Sequence, residues 1–120
     1  MTIRRMKTYA GAQGYVYQYY FVGQREALAN DPDSPAVEYI FDVTSDRKTT
    51  FAVSVLFPAK VLNAWEASHQ RKLSAAEQYG AVKLRLFEAF DELEDLLTHG
   101  RRRVIDTDSL ARALATLGAA

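Results

Sequence analysis

The chain contains no cysteine, and this absence excludes several kinds of chemistry at once. Without a thiol there is no disulfide, no thiolate zinc site, no iron–sulfur ligation and no cysteine nucleophile. The chain also lacks internal repeats and low-complexity segments, so we expect neither a solenoid nor a tail. No uncharged run approaches the roughly 20 residues that a membrane span requires. The sequence therefore predicts no membrane association.

An excess of either charge is missing too, since 15 basic residues balance 15 acidic ones. With a formal net charge of zero, the molecule as a whole does not attract nucleic acid electrostatically, although a local basic patch can still do so. The basic start, residues 1–7, is not followed by an apolar stretch, so we expect no signal peptide. With 120 residues and 48% hydrophobic content, the chain can bury a real core. We expect a soluble, cytoplasmic domain.

Three runs in the first half have the composition and the period of β-strands. Residues 15–22 are aromatic and β-branched, and residues 37–43 and 51–57 alternate between large apolar and other side chains. A short polar turn joins the second and third runs, which predicts a hairpin. Residues 24–29 can form one helical turn before the loop that leads to the second run. The expected product is a three-stranded antiparallel meander.

The second half changes to a helical period. Pro58 can open a first helix over residues 59–70, because a missing N–H costs nothing in a first turn. Ser74 and Glu77 form a capping-box pattern that begins a second helix. We expect this helix over residues 75–98, about 36 Å at ~1.5 Å per residue, long enough to cross the sheet. Its apolar stripe consists of Tyr79, Val82, Leu86, Phe90, Leu93 and Leu97.

The end of the chain carries two weaker signals. Residues 101–105 can form a short strand, and Asp106 or Thr107 can cap a terminal helix. The apolar positions of that helix are Leu110, Leu114 and Leu117. Together the patterns predict one α+β domain over residues 1–120: a three-stranded meander, two helices with the longer one packed across the sheet, a short strand and a terminal helix. Residues 1–13 are expected to be flexible or an extended N-terminal arm.

The aromatic first strand is the most suggestive feature for function. Period two places one row, Tyr15, Tyr17, Tyr19 and Phe21, on one face and Tyr20 with two valines on the other. The run from Gly14 to Tyr20 partly resembles the signature of RNA-recognition motifs, in which aromatic side chains stack on bases. The main interpretation is that one row packs on the long helix. The other row then lines a partly exposed or dimerising face.

Charge is distributed in blocks although its total is zero. Residues 26–46 carry six acidic and no basic side chains, whereas residues 47–85 carry seven basic and two acidic ones. A second acidic cluster occupies residues 88–95, where the helix macrodipole disfavours it. Arg101, Arg102 and Arg103 follow at once and are the expected neutralisers. A sharper alternative is a bipolar surface that pairs with a second copy of the chain.

One possible metal motif is present and incomplete. Glu66 and His69 lie one helical turn apart, the spacing of carboxylate-bridged sites in helix bundles, but such sites require the motif twice and two further glutamates. We therefore expect a weak hydrogen-bonded pair and no metal, and the sequence offers no catalytic residues and no cofactor motif. A nucleophile elbow is also missing. The sequence therefore leaves enzymatic activity open and favours a protein that is not an enzyme.

Three function classes remain open. The favoured one is a non-enzymatic binding domain that self-associates as a homodimer or binds another protein through the second sheet face and the helix. The alternative is a single-stranded RNA module that uses the tyrosine-rich strand and flanking basic residues. The third is a small-ligand or enzymatic pocket between sheet and helix, on which Trp65, His69 and Tyr79 are expected to converge. The candidate binding residues are Tyr15, Tyr17, Tyr19, Tyr20, Trp65, His69, Tyr79, Arg101, Arg102 and Arg103.

Overall fold

The computed structural model describes residues 6–11, 14, 16–29, 34–92 and 101–118. In these residues the chain has an α+β fold with one five-stranded sheet, in the order β1-β2-β3-β4-β5, and three helices. The fold class expected from the sequence is confirmed. The elements are β1 Lys7–Ala10, β2 Val16–Leu28, β3 Pro35–Thr44, β4 Phe51–Pro58, α1 Ala59–His69, α2 Ala75–Glu92, β5 Arg102–Val104 and α3 Thr107–Leu117.

The antiparallel meander is formed by β2, β3 and β4, as predicted. The prediction of a helical turn over residues 24–29 is wrong, because β2 continues to Leu28 in register with β3, pairing Gln24 with Tyr39 and Leu28 with Pro35. The backbone partners that β3 supplies outweigh the weak local preference of this polar segment for helix. A bulge between Phe21 and Gly23 interrupts the pairing of the two strands.

Two short strands extend the meander at its edges. β5 runs parallel to β4, so the predicted short strand is confirmed within Arg102–Val104. β1 pairs antiparallel with β2, so part of the stretch expected to be flexible or an extended arm, Lys7–Ala10, is an edge strand. Tyr9 connects β1 to α2. Its ring stacks on that of Phe87 with the ring centres 4.3 Å apart, and its hydroxyl donates to Asp91 at 2.8 Å.

The helices begin where their capping residues predict. Glu77 N–H donates to Ser74 Oγ at 3.1 Å and Ser74 N–H donates to Glu77 Oε1 at 2.9 Å, the reciprocal bonds of a capping box. Asp106 caps α3 by accepting a 2.8 Å bond from Ser109 N–H. The predicted end of the second helix at residue 98, together with Gly100, lies outside the described residues.

All three helices contribute side chains to one core on a single side of the sheet, which we call the inner face. Val82, Leu86 and Phe90 of α2 are fully buried there, so the predicted stripe is confirmed as far as the helix is described. Leu110 and Leu114 of α3 are buried as well, whereas Leu117 is 44% exposed. The opposite, outer face carries a second, smaller cluster, formed by Ala29, Ala36 and Leu56 with Ala27 and Val104 packed against it.

Candidate functional site

The inner aromatic row of β2 is part of the core. Tyr17 is 2% exposed and stacks on Phe90 at 4.5 Å, and Tyr19 is 4% exposed and meets Phe87 edge to face at 5.5 Å. Burial raises the pKa of Tyr19 above its usual value. Tyr15 lies outside the described residues. Because the rings of Tyr17 and Tyr19 are covered by α2, they are not accessible for stacking on bases.

The outer row of the same strand is only partly covered. Val16 is 50% exposed and Val22 is 51% exposed, while Tyr20 between them is half-buried. Leu28, at the end of the strand, is 53% exposed but lies beyond the bulge, on the same side of the sheet as Val37 and Phe57. Three of the four large hydrophobic residues that are exposed in the described part of the chain therefore lie on β2, and the fourth is Leu117.

A polar cluster occupies the outer face beside the small apolar one. The carboxylate of Glu38 accepts from Ser54 Oγ at 2.6 Å and from Arg25 Nε at 2.7 Å. These two hydrogen bonds lower the pKa of Glu38, and the positive charges of Arg25 and Arg102 act in the same direction. Arg102 also donates to Leu28 O at 2.6 Å. The end of β2 is thus tied to β5 across the outer face.

Each of the three consecutive arginines has a structural partner. Arg101 lies over the ring of Phe51 at 5.5 Å and donates to Ala52 O, and Arg103 forms a 2.6 Å ion pair with Glu92 of α2. The expected neutralisation of the acidic helix end is confirmed at Glu92. Glu88 of the same cluster pairs instead with Arg85 and Arg112, and Asp91 accepts from Tyr9. Glu94 and Asp95 lie outside the described residues.

The residues expected to converge on one pocket line two separate depressions. Trp65 and His69 of α1 line a groove of about 380 Å³ that also contains Thr107, Leu110 and Ala111. Tyr79 of α2 instead lines a smaller cleft with Lys7, Tyr19, Tyr20 and Phe21. The predicted convergence of Trp65, His69 and Tyr79 is therefore wrong. Helical spacing does not specify the directions in which two different helices point their side chains.

The imidazole of His69 is held in one orientation against the indole. The two rings stack at 4.1 Å with an interplanar angle of 11°, and Nδ1 lies 2.9 Å from Trp65 O. Nδ1 also lies 2.9 Å from Ser68 Oγ, which itself donates to Trp65 O at 3.1 Å, so these contacts hold the imidazole at one of its two nitrogens. The expected pair with Glu66 is absent, because the Glu66 carboxylate accepts from Leu73 N–H at 2.8 Å.

Sequence reasoning missed a cavity of about 550 Å³ between the end of β2 and the helices α1 and α2. Its polar side chains are those of Glu26 and Gln78. Its apolar lining is contributed by Ala27, Leu28, Pro35, Ala36, Val37, Phe57, Ala59 and Leu62. No local pattern predicts this cavity, because its lining comes from β2, β3, β4, α1 and α2.

Among residues 6–92 and 101–118, with the gaps given above, no cluster of three or more His, Asp or Glu side chains is placed to hold a metal ion. None of the helices in the described part of the chain is both long enough and apolar enough to span a membrane. Comparison with protein-family models, with curated proteins and with solved structures finds no match.

Proposed function

We propose that the chain is a non-enzymatic binding domain that associates with itself. The observation that supports this proposal is the concentration of exposed apolar side chains on β2, where Val16, Val22 and Leu28 are each about half exposed. Single exposed hydrophobic residues are ordinary, but three on one strand, of which Leu28 lines an open apolar cavity, are typical of an interaction surface. Self-association buries them without requiring a second gene product.

Sedimentation across a concentration series tests this proposal. We expect a species of twice the 13.5 kDa monomer mass whose fraction rises with protein concentration. The same series at low and high salt separates two modes of association, because apolar contacts survive salt and a bipolar charge surface does not. A strict monomer at every concentration would overturn the proposal.

A second proposal, small-ligand binding, has its own support in the groove between α1 and α3. The indole of Trp65 is 9% exposed in a groove lined mainly by apolar side chains, with Ser68, His69 and Thr107 adding polar groups. Because an imidazole and two hydroxyl groups line otherwise apolar walls, the groove suits a small apolar or aromatic ligand that carries a hydroxyl group.

The single tryptophan of the chain reports on this groove directly. We expect aromatic alcohols to change its fluorescence saturably, and Ala111→Leu to abolish the change by filling the groove. Ala115→Leu is the matched control, since Ala115 is exposed on the same helix and does not line the groove. A response that persists in Ala111→Leu would contradict the assignment. The nucleic-acid alternative stays a prediction with less support, since Tyr17 and Tyr19 are covered.

A further inference from the structure

The cavity between the end of β2 and the helices α1 and α2 continues the apolar inner face of the sheet. Strand pairing places Glu26 opposite Val37 and Val37 opposite Phe57, so these three side chains share that face. Val37 and Leu62 of α1 pack against the core and also line the cavity. Its volume of about 550 Å³ exceeds the ~150 Å³ that holds a benzene ring and is typical of small-molecule sites. The cavity therefore has room for a bicyclic ring.

The two polar side chains of the cavity both offer oxygen acceptors. Gln78 Nε2 donates to Leu73 O at 3.1 Å, so Oε1 is the end of this amide that can accept. Glu26 is an exposed residue and carries the one charge among the described residues that line the cavity. A carboxylate beside apolar walls favours an ammonium group on the ligand and disfavours a second anion.

The basic residues near Glu26 are directed elsewhere. Arg25 is turned to the outer face, because successive strand residues alternate, and its guanidinium lies 2.7 Å from Glu38. Arg102 acts on the same outer face, where its charge contributes to the lowered pKa of Glu38. Arg25, Arg102 and Lys60 are not among the described residues that line the cavity. The charge that these lining residues present to a ligand is therefore negative.

We propose that this cavity binds a small apolar amine. The ring or alkyl chain of the ligand packs on Val37, Phe57 and Leu62, and its ammonium group donates to the Glu26 carboxylate, with Gln78 Oε1 as a second acceptor. An ammonium group has three N–H donors, so it can bind both oxygens and still contact water at the open side of the cavity. This site is separate from the groove beside Trp65, and the inference does not depend on self-association.

Methyl NMR spectra test the site directly, because Leu28, Val37 and Leu62 carry methyl groups in its lining. The probe is tryptamine, compared with its neutral analogue tryptophol and the anion indoleacetate. We expect tryptamine to shift these methyl resonances saturably and to leave those of Leu110, in the groove between α1 and α3, unchanged. At the same methyl groups, tryptophol should bind about tenfold more weakly and indoleacetate more weakly still. Equal affinity for tryptamine and tryptophol, or tryptamine shifts confined to Leu110, would overturn the proposal.

Two variants with matched controls separate the charge from the shape of the cavity. Glu26→Gln keeps the size of the side chain, and we expect it to weaken tryptamine binding about tenfold, whereas Asp108→Asn, at an exposed site on α3, should leave the affinity unchanged. Ala59→Leu adds volume to the lining and should abolish the methyl shifts. Its control is Ala67→Leu, which is exposed on the same helix outside this lining.

The Glu26→Gln comparison decides the proposal even if Ala59→Leu does not fold. An affinity for tryptamine that survives the loss of the carboxylate would contradict it, as would the absence of any saturable shift in the native chain. Shifts at the cavity methyl groups in a chain that sediments as a monomer would support the amine site and overturn self-association. The two proposals therefore fail separately.

Discussion

Glu38 Oε2 on β3 accepts a 2.6 Å hydrogen bond from Ser54 Oγ on β4, on the face of the sheet that the helices leave uncovered. The Glu38 side chain is only 13% exposed although it lies on this uncovered face. A carboxylate in such a place is retained when its oxygens are fully partnered. Ser54 and Arg25 provide those partners and hold three neighbouring strands together.

We expect Glu38→Gln to lower the free energy of unfolding by about 1 to 2 kcal/mol, because it removes charge-assisted hydrogen bonds from a largely buried position. Ser54→Ala should cost a similar amount, and the double variant should cost less than the sum of the two. Urea denaturation of the four proteins measures this coupling. Additive effects would mean that the two side chains do not stabilise the fold through each other.

The pH dependence of the same pair has a definite sign. The pKa of Glu38 is lowered in the folded protein. The stability that its carboxylate contributes is therefore fully present above the pKa of the unfolded chain, about 4.3, and is lost as the pH falls through the lower pKa of the folded protein. The stability difference between the native chain and Glu38→Gln should therefore narrow on acidification below about pH 5. A difference that stays constant down to the acid transition would contradict this.

Periodicity predicted the parts of the fold whose burial follows from local sequence. The alternation around Tyr39 and Phe41 predicted β3, and the spacing of Val82, Leu86 and Phe90 predicted the buried stripe of α2. The capping box was also predicted correctly from sequence, because the Ser74 hydroxyl accepts from a backbone N–H only three residues along the chain. These features depend on residues that are close together in the chain, and a periodic pattern reports only on such residues.

The remaining features depend on contacts between distant segments. β1 contains only one large apolar side chain, Tyr9, and becomes a strand because β2 and Phe87 provide partners from elsewhere. The extension of β2 over Gln24 to Leu28 comes from β3 in the same way. The cavity beside the end of β2 depends on that extension and on α1 and α2, so no single stretch of sequence predicts it.

The capping box of α2 should contribute measurably to stability. We expect Ser74→Ala to lower the free energy of unfolding by about 1 kcal/mol, since it leaves the Glu77 N–H without its side-chain acceptor. Ser74→Thr keeps a hydroxyl in the same place and should lose only a few tenths of a kcal/mol. Thermal denaturation of the two variants gives the comparison. Equal losses in both would show that the hydroxyl is not the stabilising group.

Gly80 lies in α2 beneath the last turn of α3. A Cβ at this position would approach Cδ1 of Leu117 to 3.0 Å, but that methyl group ends a partly exposed side chain that can turn away. Alanine in a helix interior is favoured over glycine by about 1 kcal/mol. We expect Gly80→Ala to gain less than this in the native chain and the full amount in a Leu117→Ala background. The same gain in stability in both backgrounds would mean that the Leu117 side chain does not oppose the added methyl group.

The stacking of His69 on Trp65 gives a spectroscopic prediction. His69 covers one face of the indole at 4.1 Å, and the guanidinium of Arg71 lies 5.3 Å from the ring centre. We expect His69→Ala to shift tryptophan emission to the red, to increase quenching by acrylamide and to lower stability by about 0.5 to 1.5 kcal/mol. His69→Phe should preserve the emission maximum, because a phenyl ring can occupy the same stacked position. Unchanged quenching in His69→Ala would show that the groove, and not the imidazole, shields Trp65 from solvent.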